Sequence, residues 1–379
     1  MSYILLAWLL APIWLPVSWV RRFLQQAPHR IAVFEIAGIG DVVCSAHLVS
    51  QLRQRYPQAT IDWIVDPVAL SLGPALHMVD RVMPFAYAQQ RGLVGRLRLA
   101  ALCMRYDTAI CLIPSSAQLV AFCFAAVPRR LSVLPASLNR SYALLKPLMS
   151  AVALHRTGAY FPGTQAQLFQ WLGVTKPNPQ KKWQPVVSTL PQADFSAQPD
   201  SILIGLLVGS GRVLKRLTVD QLVEMVTGLL TAIEQADKIK VLLLGGAADA
   251  ETAAAVLNGL PNSLHHSVDD LTGRYALAEL PAALQRLKLL IGVDSGVTHM
   301  ADALGIPVLC IAGPVDLAEV YQPGACRVQL VTSPPCYPCS TVFDTPAQCH
   351  TGTLACLNFD QQTLRRHVAE MLSADKECQ

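Results

Sequence analysis

With 379 residues, the chain is too long for one hydrophobic core and long enough for two, since single cores stop growing beyond roughly 250–300 residues. Apolar side chains make up 52% and charged ones 15%, which excludes an intrinsically disordered chain and points to buried strands covered by helices on both faces. The net charge of +4 hides an asymmetry, because residues 1–175 carry 15 Lys/Arg against 6 Asp/Glu while residues 176–379 carry 15 against 20. A basic first half suits an anionic membrane surface or a phosphorylated acceptor, or is simply a solvated face that aids solubility.

Residues 1–20 contain no charged side chain, and as one helix they would reach across roughly 30 Å of hydrocarbon. Pro12 and Pro16 interrupt that helix, each removing a backbone hydrogen bond. Arg21, Arg22 and Arg30 follow, and the positive-inside bias leaves everything after them in the cytoplasm. A cleaved secretory signal is disfavoured, because no basic residue precedes the apolar run and no small-x-small cleavage site is evident. Residues 1–29 are therefore expected to be a membrane-associated segment, spanning or interfacial, with a buried N-terminal helix as the plainer reading.

Residues 31–36 form an apolar strand that ends in the turn Ala37-Gly38-Ile39-Gly40, and Asp41 opens a helical pattern to about residue 56. A second β-rich run at 61–65 completes a βαβ unit, and further strands are expected at 81–84, 108–113 and 130–133. These define a parallel-sheet domain over residues 30–175. Residues 176–200, rich in Pro, Lys, Gln and Ser, read as a linker. The pattern then restarts over residues 201–360, with strands at 202–207, 240–244, 289–293 and 308–311. Helices fall between them at 219–234, 248–257, 276–287 and 296–304. A final helix within 361–379 is expected to pack back on the first domain.

Three segments carry chemistry. Asp41, after Gly38 and Gly40, lies at the carboxyl end of a first strand, where open α/β sheets bind ligands; it is either a helix N-cap or a base. The turn lacks the G-x-G-x-x-G spacing of a dinucleotide site. In the second half, Asp294-Ser295-Gly296-Val297-Thr298-His299 follows a strand and starts a helix. The N–H groups of Ser295, Gly296 and Val297 could converge on a pyrophosphate there, or Asp294 or Ser295 simply caps the helix and His299 is a buried, satisfied histidine. Ser210, Gly211, Lys215 and Arg216 occupy a third loop; Lys215 either places a point charge on a phosphate or belongs to a surface pair of cations.

Taken in order across some 280 positions, these three segments resemble glycosyltransferase family 9, the ADP-heptose:lipopolysaccharide heptosyltransferase family. The resemblance implies a GT-B fold of two facing Rossmann-like, doubly wound parallel-sheet domains, the first holding the acceptor and the second the nucleotide sugar. It implies that Asp41 takes the acceptor hydroxyl proton beside Gly38 and Gly40, with attack opposite the nucleotide and inversion at the anomeric carbon. It assigns Ser210, Gly211 and Lys215 to the departing phosphate, and Asp294, Ser295, Gly296, Val297 and His299 to the pyrophosphate. The acidic ribose contact falls on Asp249 or Glu251. An ADP-heptose-type co-substrate, an anionic glycolipid acceptor of the lipopolysaccharide-core type and the inner face of the cytoplasmic membrane are the implied partners, with no nucleic acid among them. No metal cofactor is implied, and the sequence has no Asp-x-Asp triplet to hold a divalent ion. Gly313-Pro314-Val315 departs from the family's usual hydroxyl-bearing third residue, and the N-terminal apolar segment is additional to its basic pattern.

Eleven cysteines are scattered along the chain, and those such as Cys103, Cys111 and Cys123 read as small core residues in a reducing compartment. Cys336, Cys339, Cys349 and Cys356 are spaced so that a structural zinc ion is one reading and reduced thiols the other. The rival functions are a membrane-tethered sugar-nucleotide-binding protein without transfer activity and a nicotinamide-dependent dehydrogenase.

Overall fold

The computed structural model describes residues 2–90, 92–180, 183, 185, 200–233, 236–322 and 327–373. Most of the expected linker, Glu234 and residues 374–379 lie outside the described residues. The chain forms two compact units, Met1–Lys181 and Lys182–Gln379.

The first unit begins with two helices, α1 (Ser2–Leu9) and α2 (Ala11–Leu24), bent by 63° where they meet. Pro12 falls in the first turn of α2, where its missing N–H has no helical partner to lose, while Pro16 is accommodated inside that helix. Among the described residues no single helix is long and apolar enough to cross a membrane; the bent pair passes by length and composition. Ile4, Ala7, Ala11 and Trp14 enter the first core, so the segment is partly a docked helical pair rather than a separate element.

There follow β1 (Arg30–Glu35), α3 (Ile39–Arg55), β2 (Thr60–Val65), β3 (Arg81–Pro84), α4 (Gly92–Cys103), β4 (Thr108–Cys111), α5 (Ser116–Phe124), β5 (Arg129–Pro135), α6 (Arg140–Leu145), β6 (Ala151–His155) and α7 (Phe161–Trp171). The six strands are all parallel in the order β3-β2-β1-β4-β5-β6. From Ile31 onward β1 is buried, as a parallel strand covered on both faces requires.

The second unit repeats the plan with β7 (Ile202–Leu207), α8 (Val219–Thr231), β8 (Ile239–Leu244), α9 (Ala250–Gly259), β9 (Val268–Asp270), α10 (Leu280–Leu284), β10 (Leu289–Val293), α11 (Gly296–Ala303), β11 (Val308–Ile311), α12 (Leu317–Val320), β12 (Arg327–Leu330) and α13 (Gln361–Ser373). Its order, β12-β11-β10-β7-β8-β9, is again the 3-2-1-4-5-6 arrangement once the strands are counted from β7. In both sheets the chain reverses its winding beside the first strand, and the crevice at that reversal is where doubly wound sheets hold ligands. In the first unit the reversal lies between β1 and β4, and in the second between β7 and β10.

One expectation is corrected. The helix expected at 276–287 shrinks to α10, because Pro281 starts it and a carboxylate oxygen of Glu279 accepts the Ala276 N–H outside it. The final helix lodges in the core of the second unit, where Leu364, Val368 and Met371 are buried. Gly228 of α8 admits Arg365 so closely that an added Cβ would lie 2.9 Å from its side chain.

Candidate active site

In the first unit, the turn after β1 carries Asp41 to the sheet's reversal point. Asp41 is not the N-cap of α3. Gly38 holds that position, and Asp41 sits one turn in, where its Oδ2 accepts the Gly38 N–H at 2.9 Å. The carboxylate is thereby fixed at the positive end of a 17-residue helix. Gly38 is exposed and Gly40 half-buried in the first turn, which leaves room for a ligand against the backbone.

Behind Asp41 stands a residue that sequence reasoning missed. Glu35, the last of β1, is fully buried and accepts the Ser45 hydroxyl at 2.5 Å. Burial pushes its carboxyl well above the ordinary value; the Ser45 hydrogen bond opposes this, and the Asp41 charge adds to it. Glu35 therefore places a second, fully buried carboxyl behind Asp41. An acidic residue closing an otherwise apolar strand was the available signal.

In the second unit, three residues distant in sequence converge. Lys215 donates through Nζ to Asp294 Oδ2, and His299 Nε2 lies 2.9 Å from Asp294 Oδ1. All three side chains are nearly buried, at 14%, 8% and 8% exposure. Burial works against the charge on Asp294, but the Lys215 ammonium and His299 outweigh it and hold the carboxyl far below the usual carboxylate range. Tyr321, not anticipated from the sequence, stacks on the His299 ring at 4.7 Å and is itself buried. Lys215 uses one of its three donors on Asp294, so two remain for a ligand.

The helix start beside this network departs from expectation. Ser295 is the N-cap of α11, and its N–H donates to Thr298 Oγ1 at 2.8 Å, while Ser295 Oγ accepts the Thr298 N–H. The anticipated trio of converging N–H groups is reduced to Gly296 and Val297, for which no acceptor is found among the described residues. Asp294 is spared from capping and is spent on Lys215 and His299.

The loop after β7 completes the surroundings. Ser210 is nearly buried, with its hydroxyl oxygen 3.4 Å from the Arg212 N–H, and Gly211 is exposed. Asp249 packs against this loop so tightly that a Cβ at Gly209 would meet its carboxylate at 2.1 Å, and its Oδ2 accepts the Gly246 N–H at 2.9 Å. Glu251 is exposed in the first turn of α9. Of the two acidic alternatives, Asp249 is the one held at the carboxyl ends of β7 and β8.

The four late cysteines are electrostatic neighbours: Cys336 and Cys349 add to the effect of burial in raising the Cys339 thiol. Among the described residues, however, no group of three or more His, Cys, Asp or Glu side chains is arranged to hold a metal ion. Cys356 is drawn into the second core and Cys349 Sγ lies on Thr351 Oγ1 at 3.4 Å, so the spacing does not translate into a ligand cage. Cys103, Cys111 and Cys123 are buried free thiols, as their apolar setting suggested.

Comparison with known proteins bears on this arrangement. Residues 165–345 match the family model "Glycosyltransferase family 9 (heptosyltransferase)". The chain is 27% identical to lipopolysaccharide heptosyltransferase 2 of Salmonella typhimurium, over 75% of this chain and 83% of that protein. Among solved structures, the ADP-heptose lipopolysaccharide heptosyltransferase II of E. coli superposes with a TM-score of 0.65 at 19% identity, covering 90% of this chain and 98% of its own. The E. coli heptosyltransferase WaaC with ADP-2-deoxy-2-fluoro heptose gives 0.64 at 17% identity, covering 90% and 99%. The two doubly wound parallel sheets are thus the GT-B fold of those enzymes, and the homologues indicate a glycosyltransferase similar to glycosyltransferase family 9, whose heptosyltransferase model matches residues 165–345.

Proposed function

We propose that the chain transfers a heptose or related sugar from an ADP-sugar to a lipopolysaccharide-core or similar glycolipid acceptor, with inversion and without a metal ion. The observation that carries this reading is the Lys215–Asp294–His299 network beside the two open N–H groups at the start of α11. Donor and acceptor class come from the likeness to lipopolysaccharide heptosyltransferases.

In this reading the diphosphate lies against Gly296 and Val297, and Lys215 turns its remaining donors to the leaving phosphate as negative charge develops there. Asp294 and His299 hold Lys215 in place. Ser210 and Gly211 line the same phosphate, and Asp249 serves the ribose. Asp41 accepts the proton of the acceptor hydroxyl, whose oxygen attacks the anomeric carbon opposite the departing ADP. With charge carried by Lys215 and backbone N–H groups, no Lewis acid is needed.

We also place the enzyme at the inner face of the cytoplasmic membrane, lying on it rather than crossing it. The bent α1–α2 pair buries one face in the first core and leaves Leu9, Trp19, Phe23 and Leu24 on the other exposed, ahead of a strongly basic half-chain.

Mass spectrometry of products, with proton NMR of the new anomeric centre, tests the reaction. Incubation with ADP-heptose and a truncated lipid acceptor should yield an inverted glycoside in the presence of a chelator. Asp41→Asn should bind the donor as the parent does and lose transfer by at least roughly a hundredfold. Retention of transfer by that variant within a few-fold overturns the role of Asp41.

A further inference from the structure

The first unit has a second cavity, of about 270 Å³, lined among others by Arg22, Gln26, Tyr56, Arg129 and Trp171. It is not the crevice that holds Asp41. Arg129 is the first residue of β5 and Tyr56 follows α3, so the cavity opens at the amino ends of the strands. Asp41 follows the carboxyl end of β1, which places it roughly 20 Å away, the length of a six-residue strand.

The cavity holds cations whose charge the protein leaves incompletely answered. Arg129 is 6% exposed. Its Nη2 donates to the carbonyl oxygens of Gln25 and Gln26, but its Nη1 has no hydrogen-bond partner. The nearest carboxylate, Asp107, is 3.9 Å from Nη1 and already accepts the N–H groups of His29 and Arg30 and the Thr108 hydroxyl. Among the described residues Arg22 meets no carboxylate in an ion pair, and it lies over the Trp171 ring at 5.5 Å. Burial first, and then the repulsion from Arg22, lower the affinity of Arg129 for its proton, with Asp107 offsetting only part. A buried guanidinium with an idle nitrogen, facing a second guanidinium across a cavity, is in its lowest energy when an anion sits between them.

We propose that this cavity binds the phosphate of an anionic phospholipid headgroup, gripped by Arg22 and Arg129. A phosphate is the anion whose oxygens suit two guanidinium forks. A lipid, rather than free phosphate, is indicated by the neighbours of Arg22: Trp19, Phe23 and Leu24, on the same end of α2, are 67%, 82% and 74% exposed. A headgroup in the cavity leaves its acyl chains beside those apolar side chains. The inference rests on the membrane placement proposed above and adds to it a stereospecific site.

The experiment uses the full chain in two arms. In the first, the parent is floated with vesicles of phosphatidylglycerol or of phosphatidylcholine, and failure to float with either refutes the membrane placement itself. In the second, dihexanoylphosphatidylglycerol below its micelle concentration, or inorganic phosphate, is titrated by calorimetry into the parent, Arg22→Ala and Arg98→Ala. Arg98 is an exposed cation of α4 that does not line the cavity. The expected result is saturable binding of the short-chain lipid, weakened roughly tenfold or more by Arg22→Ala and unchanged by Arg98→Ala. Equal binding by Arg22→Ala, equal losses in both variants, or phosphate binding as tightly as the lipid each overturns the assignment. Arg22 is exposed, and melting curves of the variant establish that it is folded.

Discussion

Replacing Lys215 by Met asks how much of the second unit rests on one buried charge pair. Asp294 is 8% exposed and shares its two oxygens between Lys215 and His299. Removing one partner of a buried pair typically costs 3–5 kcal/mol, and because His299 remains, about 3 kcal/mol is expected. For a unit of this size that corresponds to roughly 6–12 °C in Tm. The sign with pH follows from Asp294. Its carboxyl lies below the ordinary 3.8, so its ionised form contributes stability above that value and loses it as pH falls through the depressed one. Without Lys215 the carboxyl moves up, so the penalty is full above the ordinary 3.8 and should shrink as acid protonates Asp294. Scanning calorimetry of the parent, Lys215→Met, Asp294→Asn and the double variant from pH 2 to 7 reads both effects. The double variant should be less destabilised than the sum of the singles by about 1–3 kcal/mol. Additivity within about 0.5 kcal/mol, or a penalty that does not vary with pH, refutes the coupling.

Three further outcomes are expected. Glu35→Gln should gain stability over the parent as pH rises, because a raised carboxyl is fully favourable below its ordinary 4.5 and loses stability on ionising; urea melts at pH 5 and 9 showing a constant difference count against a buried neutral acid. Cys349, whose thiol is lowered to about 7 by the Thr351 hydroxyl and nearby backbone N–H groups, should be alkylated by iodoacetamide at neutral pH well before buried Cys103, and mass mapping that shows the reverse order contradicts this. Leu364→Ala, emptying a fully buried position of the second core, should cost about 2–5 kcal/mol. Its loss of hydrogen-exchange protection should fall on α8 and α13, and loss confined to the first unit contradicts the placement of the last helix.

What could be read in advance follows the physics of each element. The strands β7 and β10 are unbroken apolar runs, and β1 and β8 nearly so, because both sheet faces are covered. The edge strands β9 and β12 were not legible: β9 is Val268-Asp269-Asp270, and a strand paired on one side has no need of apolar residues throughout. The paired glycine turns located Asp41, Lys215 and Asp294, but not the partnership of the last two, which spans 79 positions. Tyr321 and Glu35 were missed because their contacts are tertiary. The local pattern of Ser295 and Thr298 misled in the opposite sense, since a hydroxyl three residues ahead competes for the same N–H that a ligand could have used.

The lodging of α13 in the second core has a bearing on biogenesis. The second sheet is complete in sequence by Leu330, yet its hydrophobic interior is sealed only when Leu364, Val368 and Met371 arrive. On the ribosome, therefore, the earlier unit can close over its own helices and reach its native form while the later one still lacks a wall. Nascent chains arrested shortly after residue 330 should bind a hydrophobic dye that those arrested with residue 373 clear of the exit tunnel do not.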